Sequence, residues 1–186
     1  MGAPHVLSNP PKVALIGGGF IGPVHAEALR RIGVQVHGLL DITPEKARPQ
    51  AEKLGIPKVY ATIEEVLADP EVGAVHLASP NHVHYEHAKA ALEAGKHVLC
   101  EKPLAVSGEE SSELAKIAAS RPRQAAGVNY NLRFYPLAQE MRQRVASGAL
   151  GRILTVTGSY TQDWLLLADD YNWRVEPDGH TNLRAI

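Results

Sequence analysis

Cysteine is nearly absent from this 186-residue chain. Cys100 stands alone, which excludes an intramolecular disulfide and fits a reducing compartment. No segment approaches the roughly 20 consecutive apolar residues that span a bilayer. Met1 to Lys12 holds three prolines and no apolar run, so it reads as neither signal peptide nor membrane anchor. Gly2 invites myristoylation, but Val6 stands where Ser or Thr is required. Charge of one sign is also missing. Nineteen basic and twenty acidic residues leave a net charge of −1, and with it no electrostatic footprint for nucleic acid. There is no repeat of fixed period and no low-complexity tract. These absences leave a cytoplasmic globular protein with neither membrane nor nucleic-acid partner as the expectation. Its 45% hydrophobic and 21% charged residues supply a proper core.

From Lys12 onward, apolar runs alternate with amphipathic stretches. Val13 to Ile16 reads as a buried strand, ended by Gly17, Gly18 and Gly19, and Ile21 to Arg31 as a helix closed by Gly33. Further strands are expected at Val34 to Leu40, Val72 to Ala78, His97 to Cys100 and Gln124 to Val128. Thr43 precedes Pro44 as a helix cap, and Thr62-Ile63-Glu64-Glu65 and Ser107-Gly108-Glu109-Glu110 are capping boxes. Ser79-Pro80-Asn81 leads to a helix from about Val83 to Glu93. Strands with continuous apolar runs, joined through helices, imply a doubly wound parallel sheet. After Val128 the pattern changes. Pro136 to Ser147 reads as a helix, and Ile153 to Tyr160 alternates like a one-sided antiparallel strand. The expected division is a dinucleotide-binding domain over 1–128 and, over 129–186, the incomplete opening of an α+β domain with a mostly antiparallel sheet. The chain is therefore expected to be the truncated N-terminal portion of a longer protein.

Gly17-Gly18-Gly19-Phe20-Ile21-Gly22 fits the G-x-G-x-x-G turn between a strand and a helix, and Asp41 follows Gly17 by 24 residues at the end of the second strand. Gly17 permits the tight turn, Gly19 lets the backbone approach a pyrophosphate, and Gly22 lets the helix pack on the strand. The helix N-terminus favours negative charge. Asp41 would accept hydrogen bonds from ribose hydroxyls and repel a 2′-phosphate, favouring NAD while leaving NADP possible. Glu101-Lys102-Pro103 follows the strand ending at Cys100, on the ligand side of the sheet, where a lysine can hold a substrate hydroxyl or move protons. His82, His84 and His87 lack a matching carboxylate or cysteine, so no metal is expected.

The glycine turn, Ser79-Pro80-Asn81-His82-Val83-His84, and the run from Ala94 through Glu101-Lys102-Pro103 to Leu104 closely resemble the glucose–fructose oxidoreductase / inositol dehydrogenase / rhizopine catabolism (Gfo/Idh/MocA) family. The resemblance extends from about Lys12 to the last residue. It implies an N-terminal Rossmann domain and a C-terminal domain on a largely antiparallel sheet. It also implies oxidation or reduction of a sugar, cyclitol or related polyol with NAD or NADP, and homo-oligomers in the full-length protein. It makes Lys102 the catalytic residue, with Pro103 fixing its backbone. The cofactor set becomes Gly17, Gly19, Phe20, Ile21, Gly22 and Asp41 on the turn side. Ser79, Pro80, Asn81, His84, Glu101 and Lys102 join it at the nicotinamide end. Arg133, Trp173 and Arg174 resemble family segments that return to the cofactor, and Gln162-Asp163-Trp164-Leu165 resembles a subset of sugar dehydrogenases. The family's downstream Asp and His, in a D-x-G-x-H-like segment, have no counterpart before Ile186; His180 falls where a glycine-rich turn is usual. This portion alone is thus expected to bind cofactor but be inactive. The alternative is a non-catalytic nucleotide-binding regulator of sugar metabolism on the same scaffold.

Overall fold

The computed structural model describes residues 10–161, 163 and 166–171. The chain divides into two units, Met1–Asn129 and Tyr130–Ile186. Among the described residues the first contains six strands, β1 (Lys12–Ile16), β2 (Val36–Leu40), β3 (Lys58–Tyr60), β4 (Val72–Leu77), β5 (His97–Cys100) and β6 (Ala126–Val128). Between them lie helices α1 (Gly22–Arg31), α2 (Pro44–Lys53), α3 (Ile63–Ala68), α4 (His84–Glu93) and α5 (Gly108–Ala119).

All the strand pairings are parallel, in the order β3-β2-β1-β4-β5-β6. The pleat divides the core. Val13 and Leu15 of β1 pack with Ala26 and Leu29 of α1 and Ala47 and Ala51 of α2. Ala14 and Ile16 face the other layer, with Val66 of α3, Leu92 of α4 and Leu114 of α5. Each large aliphatic chain buried this way contributes about 2 kcal/mol. The expected doubly wound sheet is present, and its order reverses between β1 and β4.

The helix starts follow the local chemistry read in the sequence. Thr43 Oγ1 accepts from the Lys46 N–H, and Thr62 Oγ1 from that of Glu65. Ser107 Oγ accepts from the Glu110 N–H, while Glu110 reaches back to the Val106 N–H. The helix read from about Val83 starts at His84, with residues 81–83 forming a 3-10 turn ahead of it. β3 is an element the sequence reading does not contain. It positions Tyr60, 1% exposed, whose ring lies against Gly38 of β2; a Cβ at Gly38 would overlap that ring. The Tyr60 hydroxyl donates to Asp69 Oδ2 (2.8 Å) beyond α3.

The second unit contains a 3-10 turn, Asn131–Phe134, and helix α6, Pro136–Ala146, after which Gly148 takes φ 74°. The strand expected at Ile153 to Tyr160 is not formed, and no antiparallel sheet occurs among the described residues. Alternation marks a face, but a strand exists only where a neighbouring strand pairs with it, and no strand pairs with this segment among the described residues. Among the described residues no helix is long and apolar enough to cross a membrane.

Candidate functional site

In a doubly wound sheet a crevice opens beyond the carboxyl ends of the strands flanking the order reversal. Here those are β1 and β4, and the loops following them meet. Gly17 takes φ 101°, and a Cβ there would lie 2.6 Å from the Ala78 carbonyl carbon and oxygen and 2.7 Å from the Ser79 nitrogen. A Cβ on Gly22 would run into the Gly17 carbonyl oxygen. These two glycines are required by the protein's own packing. Gly19 differs: it is exposed, and a Cβ there meets nothing within 4 Å. Phe20, beside it, is 96% exposed at the tip of the turn. No side chain caps α1 at Ile21.

Asp41 is tied directly to this turn. Its Oδ2 accepts the Gly18 N–H (2.9 Å) and its Oδ1 the Ile42 N–H (2.7 Å). Each oxygen of a carboxylate can accept more than one hydrogen bond, so both roles, bracing the turn and receiving hydroxyls, are open to it. The bracing role was not part of the sequence reading.

On the β4 side, the Ser79 hydroxyl and the Asn81 side-chain oxygen are buried and have no hydrogen-bond partner among the described residues. Such atoms cost free energy until a partner arrives. Together with the open space over Gly19, they fit a polar, extended ligand such as a dinucleotide. His84 is placed differently from the ligand-lining position expected of it. It is 1% exposed, with Nδ1 2.8 Å from the Pro103 carbonyl and Nε2 2.9 Å from the Ser79 carbonyl. Its ring lies between two carbonyls, one on the loop after β4 and one on the turn after β5, and so bridges the two.

That turn contains a cis Lys102–Pro103 peptide bond. Lys102 is exposed, whereas Glu101 is directed inward and 8% exposed. Its Oε1 accepts from Asn129 Nδ2 (2.6 Å) and lies 3.0 Å from His25 Nε2, while Oε2 accepts the Lys102 N–H at 3.3 Å. Burial pushes this carboxyl up, but the hydrogen bonds from His25, Asn129 and Lys102 outweigh it and hold it below the usual range. Glu101 is therefore a buried carboxylate rather than a cofactor-facing group. Cys100, fully buried at the end of β5, has its thiol pushed up to about 12 by burial and the neighbouring Glu101.

The fold thus gathers the glycine turn, Asp41, Ser79, Pro80, Asn81, His84, Glu101 and Lys102 at the carboxyl edge of one sheet. Arg133 lies in the second unit, on the 3-10 turn Asn131–Phe134. Trp173 and Arg174, with Gln162, Trp164, Leu165 and His180, lie outside the described residues. His25 and His76 were missed, and Asn129, which opens the family-like segment 129–136, was not expected to bind Glu101. The available signal was His25's position in the first turn of α1, three residues after Gly22.

Comparison with known proteins agrees with this architecture. Residues 11–130 match the family described as oxidoreductase family, NAD-binding Rossmann fold. Levoglucosan dehydrogenase of Pseudarthrobacter phenanthrenivorans is 37% identical over 161 residues, covering 82% of this chain and 41% of that protein. D-glucoside 3-dehydrogenase of Escherichia coli is 35% identical over 154 residues, 82% of this chain and 44% of its own length. Among solved structures, levoglucosan dehydrogenase in complex with NADH and levoglucosan superposes with a TM-score of 0.70 at 35% identity, over 77% of this chain and 41% of that one. An NAD-binding oxidoreductase from Klebsiella pneumoniae gives 0.71 at 38% identity, over 77% and 40%. The chain therefore spans about two fifths of the length of these relatives. With the sheet order, the glycine turn and its braced aspartate already in place, the match over 11–130 completes the assignment: this chain belongs to the Gfo/Idh/MocA oxidoreductase family and carries its NAD-binding Rossmann fold.

Proposed function

We propose that the protein is an NAD-dependent dehydrogenase acting on a CH–OH group of a sugar, cyclitol or related polyol. The observation that carries the reading is Asp41 at the end of β2, held against the glycine turn by the Gly18 N–H in the crevice at the order reversal. Asp41 receives the adenosine ribose hydroxyls and disfavours a 2′-phosphate. The space over Gly19 accommodates the pyrophosphate beside the N-terminus of α1. Ser79 and Asn81 find their missing partners at the other end of the cofactor. When bound, NAD supplies the hydride chemistry. The protein's part is orientation, and Lys102, exposed on the turn after β5, is the catalytic residue that holds the substrate hydroxyl. Residues 129–186 open the substrate and oligomerisation domain, where Arg133, Trp173 and Arg174 are assigned to the cofactor by family resemblance. On this reading the protein works in the cytoplasm as a homo-oligomer, on a small molecule and without nucleic acid or membrane.

Calorimetric titration of the chain with NAD and then NADP tests the reading. NAD is expected to bind at least about tenfold more tightly, a difference near 1.4 kcal/mol. Asp41→Ala is expected to weaken NAD about tenfold or more, through lost charge-assisted hydrogen bonds, and to narrow the gap to NADP. Equal affinities in the parent chain, or an Asp41→Ala chain with unchanged preference, would overturn the choice of NAD through Asp41, whereas binding of neither dinucleotide would favour a scaffold that has lost its cofactor.

A further inference from the structure

We propose that His25 is a positioning residue for Lys102, acting through the buried Glu101 carboxylate rather than by contact with any ligand. The inference rests on reading the crevice as an NAD site, and it concerns how the nicotinamide end of that site is held.

Four elements of the fold converge under the Lys102 turn. Glu101 follows β5, with its backbone N–H donating to the Leu77 carbonyl (2.8 Å) at the end of β4. Asn129 follows β6, with its N–H donating to the Cys100 carbonyl (2.7 Å) and its side chain to Glu101 Oε1 (2.6 Å). His25, 5% exposed on α1, places Nε2 3.0 Å from the same oxygen. His76 of β4 places Nδ1 3.0 Å from His25 Nδ1, the two rings meeting edge to face at 5.2 Å and 83°. A carboxylate only accepts, so His25 Nε2 carries a proton and donates it in a hydrogen bond to Glu101. Burial and the adjacent His25 push His76 down to about 4, so it is neutral near pH 7, and one proton is shared between the facing Nδ1 atoms. Glu101 Oε1 is held from two sides, and its Oε2 receives the Lys102 N–H. The direction in which the chain leaves β5, and so the origin of the Lys102 side chain, is set by a carboxylate whose own orientation depends on His25. Helix α1 thereby serves both ends of the crevice: its first residue packs under the glycine turn, and its fourth braces the lysine turn.

The test separates the two halves of the site by titrating the complete chain with NAD and, in parallel, with ADP-ribose, which lacks nicotinamide. His25→Ala is expected to weaken NAD about tenfold, the worth of roughly one net hydrogen bond, and to leave ADP-ribose within about twofold. Glu101→Gln, which keeps the volume and removes the charge, is expected to show the same split. Asp41→Ala serves as contrast, weakening both ligands. A His25→Ala chain that loses both ligands equally, or neither, would overturn the positioning role. If His25→Ala does not fold, the same comparison on Glu101→Gln decides. A parent chain that binds neither ligand would overturn the cofactor reading itself, and this inference with it. Failure of the inference alone shows as a parent that binds both ligands and variants that show no split.

Discussion

Gly17→Ala is expected to leave a chain that binds no measurable NAD and melts roughly 10 °C below the parent. Two costs act together. The residue holds φ 101°, a conformation that side chains other than glycine rarely adopt. Its new methyl would also stand 2.6 Å from the backbone of Ala78, at a point where the other side is likewise main chain and has no rotamer to yield. A strained backbone together with a forced shift costs about 3 kcal/mol, and the melting shift follows from the usual unfolding entropy of a domain this size. The informative comparison is Gly19→Ala. That position meets nothing within 4 Å, so the methyl costs the fold little and fills space the reading assigns to a pyrophosphate. Gly19→Ala is expected to melt with the parent and still bind NAD poorly. Thermal melts and titrations on both variants check the pair; a Gly19→Ala chain with parental NAD affinity would remove the pyrophosphate from that turn.

A second large effect is expected far from the crevice. Asp69, 8% exposed after α3, accepts from Lys58 (2.5 Å), from the Tyr60 hydroxyl (2.8 Å) and from the Glu71 N–H (2.9 Å), with His37 Nε2 3.4 Å away. Its main-chain carbonyl receives Lys96 Nζ. Asp69→Ala would strand the buried phenol and an amide, and is expected to cost about 3 kcal/mol near neutral pH. The Lys58 ammonium, then the Glu71 N–H and the Tyr60 hydroxyl, hold the Asp69 carboxyl well below its ordinary value of 3.8. The folded state therefore releases this proton more readily than the unfolded one. The ionised network stabilises fully above the unfolded value and loses its contribution as pH falls through the acid range below it. Urea unfolding at about pH 6 and about pH 3 is expected to show the gap between parent and Asp69→Ala narrowing on acidification. A gap that widens would show that the carboxylate is not what stabilises this corner.

What could be read from the sequence depended on how far apart the interacting residues lie. The caps at Thr43, Thr62 and Ser107 involve partners three residues away, and each forms as read. The apolar runs of β1, β2 and β4 are legible because burial on both faces leaves no polar alternation, whereas β5 alternates in burial and is read from its apolar composition. β3 is three residues long and opens on an exposed lysine; it exists because β2 offers an edge. Ile153 to Tyr160 has the opposite fate, a clear alternation with no pairing strand among the described residues. At the site, the glycine turn and Asp41 announce themselves by spacing. The inward turn of Glu101 does not, since it depends on His25, 76 residues earlier, and Asn129, 28 residues later. His84 misleads for a related reason: its partners are backbone carbonyls, which no residue type reveals.

The contact between Gly38 and the Tyr60 ring bears on how this sheet can diverge. Any side chain at 38 would occupy the volume of the ring, and any shift of the ring would withdraw the phenol from Asp69. A side chain at 38 cannot come first without displacing the ring, whereas a smaller residue at 60 would open the space for it. Substitutions at 38 and 60 are therefore expected to arrive as a linked pair among relatives, an alanine at 38 accompanying a smaller residue at 60. Where they do, the acid that follows α3 loses one of its donors but keeps Lys58 and the Glu71 N–H, so it is expected to stay while the other two columns drift together.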